Sequence, residues 1–113
     1  MTEAIQVVTT TGSQEEAEKI AQALVTRRLA ACVQVAGPIS STYRWQGKLE
    51  TSQEWLCVIK SLQSHYAALE AAIRELHSYD VPEILAFEVV GGDRDYLDWL
   101  AAELPHPPQQ PLV

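Results

Sequence analysis

The 113-residue sequence predicts an α+β domain in which strands and helices follow one another as β-α-β-β-α-β-α. Three observations predict it. Short β-branched or apolar runs lie on either side of stretches with helical period. Two central runs are separated only by a turn signal, which predicts a hairpin. Cap and breaker residues punctuate the junctions.

Ala4 to Thr10 (AIQVVTT) is short and β-branched and predicts a buried strand. Thr11-Gly12-Ser13 breaks it, and Ser13 with Glu16 three residues on has the spacing of a capping box. Ala17, Ile20, Ala21, Leu24 and Val25 then share one helical face. This helix is expected to run to about Arg28, with Arg27 and Arg28 at its negative end. Ala31 to Val35 resumes strand character, and Gly37-Pro38 predicts a bulge or bend within it. Beyond the bend Ile39, Tyr43 and Trp45 alternate with Ser40, Thr42 and Arg44. Gln46-Gly47-Lys48 is a turn signal, and Glu54 to Lys60 (EWLCVIK) is a second strong strand. A hairpin this long cannot bury its aromatics in so small a domain, and its edges invite pairing with another chain.

Ser64 is placed to cap a second helix, in which Tyr66, Leu69, Ala72, Ile73 and Leu76 fall on one side. His77-Ser-Tyr-Asp-Val-Pro ends it, because the residue before Pro82 disfavours helix. Ile84 to Val90 predicts a further strand, stopped by Gly91-Gly92, and Asp93 caps a last helix carrying Tyr96, Leu97, Trp99, Leu100 and Leu104. The order is that of a ferredoxin-like βαββαβ sandwich with an added C-terminal helix. Residues 1–104 are expected to form a single domain, and the proline-rich segment 105–113 an extended or disordered tail.

Composition narrows the function. The formal charge is −7, from fifteen acids and eight bases, and only Arg27 and Arg28 adjoin. Nucleic acid is therefore not an expected partner, since its phosphates demand clustered cations. No apolar run approaches the ~20 residues of a membrane span. The start lacks a basic and an apolar signal segment, and Cys32 and Cys57 show no CxxC spacing, so a cytoplasmic, reduced protein is expected. GxSxG, HExxH, P-loop and GxGxxG motifs are absent from the sequence, and a non-enzymatic role is expected.

A tight metal site needs three or four converging donors. Cys32 and His77 are not at chelating spacing, so any site must be assembled by the fold or between subunits. Cys32 reads first as a small apolar filler, the commonest fate of a free cysteine. His77, beside Tyr79, Asp80 and Glu83, could meet a cation or simply stabilise a helix C-terminus. His65 and His106 read as incidental.

Three ordered motifs carry a family resemblance. The first is the hairpin AACVQVAGPISSTYRWQGKLETSQEWLCVIKS, marked by Cys32, Ser41, Tyr43, Trp45, Gly47-Lys48, Glu54 and Lys60. The second is the run His77-Ser-Tyr-Asp-Val-Pro-Glu-Ile84, and the third is Tyr96-Leu97-Asp98-Trp99. Together they resemble the CutA family, in order and spacing, over residues 4 to about 104. Ser78 stands where that family usually has proline, and Asp80 where it usually has glutamate.

The resemblance implies a homotrimer, built by the long hairpins and similar in architecture to the PII signalling proteins. It also implies a part in tolerance of divalent cations, copper among them. A metal site would draw on His77, Cys32 and Glu83. Tyr43, Trp45, Glu54, Lys60 and Tyr79 would line an intersubunit cleft. Lys60 beside an aromatic suits a small anionic ligand, as in a PII-like regulator, while a Lys60–Glu54 ion pair between subunits would make the same residues purely structural. The trimer would alternatively serve as an adaptor for a protein partner.

Overall fold

The computed structural model describes residues 2–104, so the proline-rich segment and His106 lie outside the described residues. Strand β1 (Ala4–Thr11) leads to helix α1 (Gln14–Thr26), then to the long strands β2 (Cys32–Trp45) and β3 (Lys48–Leu62). A single 3₁₀ turn (Gln63–His65) precedes α2 (Tyr66–Leu76), β4 (Leu85–Glu88) and α3 (Arg94–Glu103). The strands lie in the order β2-β3-β1-β4, with every neighbouring pair antiparallel. This is the ferredoxin-like arrangement that the element order predicts.

Period-two alternation decides what each side of the sheet buries. Val7 opposes Ile59 and Thr9 opposes Cys57, and these side chains are fully buried with Ile20 and Leu24 of α1 and Leu69 and Ile73 of α2. Each large aliphatic removed from water there contributes about 2 kcal/mol. The opposite set of positions pairs Val8 with Val58 and Leu85, and Gln6 with Lys60 and Phe87. Leu85 and Phe87 are 53% and 51% exposed, so in one chain this face of the sheet is uncovered and apolar toward its β4 edge. The last strand is thus a four-residue exposed edge rather than the longer run expected at 84–90.

Helix α1 opens as its sequence predicts, the Ser13 hydroxyl accepting from Glu16 N–H at 3.1 Å. It closes earlier than expected, at Thr26, in a Schellman motif. Leu29 N–H donates to Leu24 O and Arg28 N–H to Val25 O, and Arg28 takes φ +56°. An arginine thus occupies the left-handed position usually given to glycine, which is why helical spacing alone overran the boundary. Arg27 and Arg28 lie past the last turn and reach Glu75 and Glu103 instead. Ser64 does not cap α2: its hydroxyl sits 3.1 Å from the ring of His65, which is buried rather than incidental.

The hairpin is continuous from Cys32↔Lys60 to Trp45↔Lys48, with a register shift between Ala36 and Ile39. Gly37 sits in that bulge because a Cβ there would lie 2.5 Å from Trp55 Cδ1. Gln46 and Gly47, both at positive φ, make the two-residue turn at the tip.

Candidate functional site

Two segments meet beside the uncovered face of the sheet. On the hairpin, Ser41, Tyr43 and Trp45 alternate along β2, with Glu50 directly opposite Tyr43 and Glu54 four residues further along β3. From the segment after α2 come Tyr79, Asp80, Val81 and Glu83. Between them, with Thr10 at the end of β1, lies a cleft of about 810 Å³.

A chain of hydrogen bonds fixes the post-α2 segment. His77 leaves the helix with extended backbone, and its ring is wholly buried. The partners assign its protons: Nε2–H donates to Thr10 O at 2.7 Å, and Nδ1 accepts from Tyr79 N–H at 3.1 Å. The Glu16 carboxylate accepts from Ser78 N–H at 2.8 Å and from the Ser78 hydroxyl at 3.0 Å. Tyr79 then reaches across the cleft, its hydroxyl donating to Glu54 Oε2 at 3.0 Å. Gly12 lets the phenol lie close, since a Cβ there would stand 3.3 Å from the Tyr79 oxygen.

The electrostatics of the cleft are one-sided. Glu50, Glu54, Asp80 and Glu83 line it, and among the described residues no lysine or arginine does. The Tyr79 phenol is pushed up to about 12, first by burial, then by the Glu54 carboxylate that its hydroxyl bonds, and then by Glu16 and Tyr43. Neutral Tyr79 is therefore a hydrogen-bond donor throughout the physiological range.

Within one chain the expected metal ligands do not converge. Both nitrogens of His77 already have partners, which leaves its ring no lone pair for a metal. Cys32 opposes Lys60, while Thr10, the partner of His77, opposes Leu56; the two levels are four residues, about 13 Å, apart along the sheet. Glu83 does line the cleft. Among the described residues no three His, Cys, Asp or Glu side chains come together as a metal-holding group. Of the expected cleft residues, Tyr43, Trp45, Glu54 and Tyr79 are brought together. Lys60 is not: it lies six residues from Glu54 on β3, about 20 Å away, and donates to Gln34 Oε1 at 2.8 Å.

A family model described as the CutA1 divalent ion tolerance protein matches residues 5–103, nearly all of the described chain. The chain belongs to the CutA1 family. Among curated CutA1 relatives, the divalent-cation tolerance protein CutA of Thermus thermophilus is 45% identical over 83% of this chain and 91% of its own. Two solved CutA structures match the whole architecture. That of Xylella fastidiosa has a TM-score of 0.89 at 39% identity, covering 91% of this chain and 99% of that one. A protein described as the periplasmic divalent cation tolerance protein CutA of Archaeoglobus fulgidus gives 0.86 at 34% identity, covering 89% and 98%.

Two departures from the usual CutA run have physical consequences in this CutA1 chain. A proline at 78 would have neither the N–H nor the hydroxyl that Glu16 accepts here, so Ser78 creates this tie between α1 and the cleft segment. Asp80 keeps a carboxylate on the cleft with a shorter reach. Two contributors escaped the sequence reading. Glu50 was detectable by counting alternate positions back from Glu54. Glu16 was visible only as a cap residue, because its partner lies 62 residues away.

Proposed function

We propose that the chain acts as a non-enzymatic, homotrimeric cation-responsive protein that binds divalent ions weakly in clefts completed between subunits. The observation that carries this reading is the four-carboxylate lining of the cleft, with no basic side chain on it among the described residues. With a net charge of −7, such a concave acidic surface concentrates cations. Family membership in the CutA1 divalent ion tolerance proteins supports the same reading.

The donor chemistry refines it. Carboxylate oxygens suit hard ions such as magnesium, calcium and manganese, whereas copper favours imidazole and thiolate. His77 is occupied and Cys32 is distant within one chain, so a copper site would need donors from a second subunit. No closed metal group exists among the described residues, which is why the binding is read as weak until another chain contributes.

The trimer is supported by the uncovered apolar sheet face with Leu85 and Phe87, and by Trp45, 57% exposed on the hairpin. The cleft adjoins that face, since Thr10 and Leu56 are cross-strand partners on the side that also carries Val8 and Val58. Within one chain Lys60, the residue that suggested a small anionic ligand, lies outside the cleft, so that reading needs the Lys60 of a second subunit. A manganese titration followed by NMR tests the reading. Paramagnetic broadening should appear first at residues 79–83 and at Glu50. Broadening elsewhere first, or none, would contradict it.

A further inference from the structure

Residues 78–83 carry Tyr79, Asp80 and Glu83 to the cleft and lie between α2 and β4. Among the described residues they make no hydrogen bond from main chain to main chain. A segment without ladder or helix bonds owes its place to side chains. Three act here: the His77 ring accepts from Tyr79 N–H, the Tyr79 phenol donates to Glu54, and Glu16 accepts twice from Ser78. Of these, only Glu16 holds the main chain with a charge.

The spacing from Ser13 predicts that Glu16 closes a capping box on α1. Instead each of its oxygens goes to Ser78, Oε2 accepting from the N–H at 2.8 Å and Oε1 from the hydroxyl at 3.0 Å. The Glu16 side chain is only 18% exposed. It springs from the residue before Ala17, whose buried side chain fixes this turn of α1 in the core. The grip is therefore charge-assisted, two-pronged and mounted on a rigid element.

We propose that Glu16 is the positioning residue of the cleft: from the first turn of α1 it holds Ser78, and through Ser78 it sets where Tyr79, Asp80 and Glu83 stand. Its effect on cation uptake rests on the metal reading, whereas its placing of Tyr79 does not. A carboxylate here also acts at a distance, and the Tyr79 phenol and the Cys57 thiol are both raised by it after larger causes. That action does not pass through Ser78, which gives a way to separate the two.

The test is a double-mutant cycle on the full-length assembled protein, read by hydrogen exchange of the Tyr79 amide and by manganese affinity. Glu16→Ala should speed Tyr79 exchange about tenfold, the scale of one charge-assisted hydrogen bond, and leave the core amide of Ile59 protected. Ser78→Pro removes both donors and keeps the Glu16 charge. His77 has φ −83° and ψ 139°, an extended backbone that a following proline accepts. In the Ser78→Pro background Glu16→Ala should therefore change nothing at Tyr79. An equal effect in both backgrounds, a loss of protection at Ile59 as large as at Tyr79, or an unchanged Tyr79 amide in the single variant would overturn the proposal. Should Ser78→Pro fail to fold, Ser78→Ala replaces it, and the Glu16→Ala effect should then shrink; an undiminished effect overturns the proposal. Manganese affinity should fall with Glu16→Ala and recover in part with Glu16→Gln, which keeps an acceptor oxygen. An unaltered protein that takes up no manganese overturns the metal reading alone, and the Tyr79 exchange still decides the role of Glu16.

Discussion

The Tyr79 hydroxyl donates to Glu54 Oε2 at 3.0 Å, and this bond ties the segment after α2 to the long hairpin. Its two ends lie 25 residues apart in sequence, and both line the cleft. The bond also joins the cleft to α1, because Tyr79 N–H donates to His77 and the neighbouring Ser78 donates to Glu16. The cleft is therefore shaped by β1, α1, β3 and the post-α2 segment together.

Tyr79 should titrate late. Its folded value is raised from 10.0 to about 12, so the neutral phenol is favoured by folding. Its contribution to stability is then complete below pH 10.0 and is lost as pH rises toward about 12. Phenolate absorbance during alkaline titration should show a late component that disappears in Tyr79→Phe. A titration unchanged by that substitution would remove the Tyr79–Glu54 bond from the account.

Gly37→Ala should destabilise the chain by about 2 kcal/mol, the usual cost of forcing an extra methyl into a packed site. The new Cβ would fall 2.5 Å from Trp55 Cδ1 and 3.1 Å from the Glu54 carbonyl oxygen. Neither the ring base nor the backbone can swing aside cheaply. Denaturant unfolding at fixed protein concentration measures the loss, and an unshifted midpoint would contradict the close approach.

Arg28→Gly should act in the opposite direction. Arg28 holds φ +56°, a conformation that costs a non-glycine residue about 1 kcal/mol. Its contact with Glu103 is exposed and worth only about 0.3 kcal/mol. A small rise in thermal midpoint is expected, and a fall would show that the Glu103 contact matters more than the backbone.

Trp45→Ala should weaken the proposed trimer. Trp45 is the largest apolar side chain on the exposed arm, and its loss removes an aromatic anchor of the kind that dominates interfaces. Sedimentation across a micromolar dilution series should show dissociation at higher concentration than for the unaltered chain. An undiminished trimer would move the arm away from the interface.

The fold was legible because its signals are local. β-branched runs, the Ser13 and Asp93 caps and the Gln46-Gly47 turn each act within a few residues, and they give the element order directly. Two boundaries were not legible: Arg28 ends α1 in a conformation that its residue type does not announce, and β4 is cut to Leu85–Glu88. The cleft was legible in part. Tyr43, Trp45 and Glu54 alternate visibly on the hairpin, and Tyr79 stands in a recognisable run. Shared parity along β3 puts Lys60 on the same face as Glu54 without showing that the two lie about 20 Å apart within one chain. The occupied ring of His77 depends on Thr10, 67 residues away, a pairing that no local pattern encodes.

Native mass spectrometry of the metal-stripped protein through manganese, zinc and copper titrations tests the central claim most directly. The account predicts a trimer that takes up divalent ions in whole-number steps, with uptake reduced when Glu50, Asp80 and Glu83 are together replaced by their amides. A species other than a trimer, or scattered, non-saturating uptake that the triple replacement leaves unchanged, would contradict it.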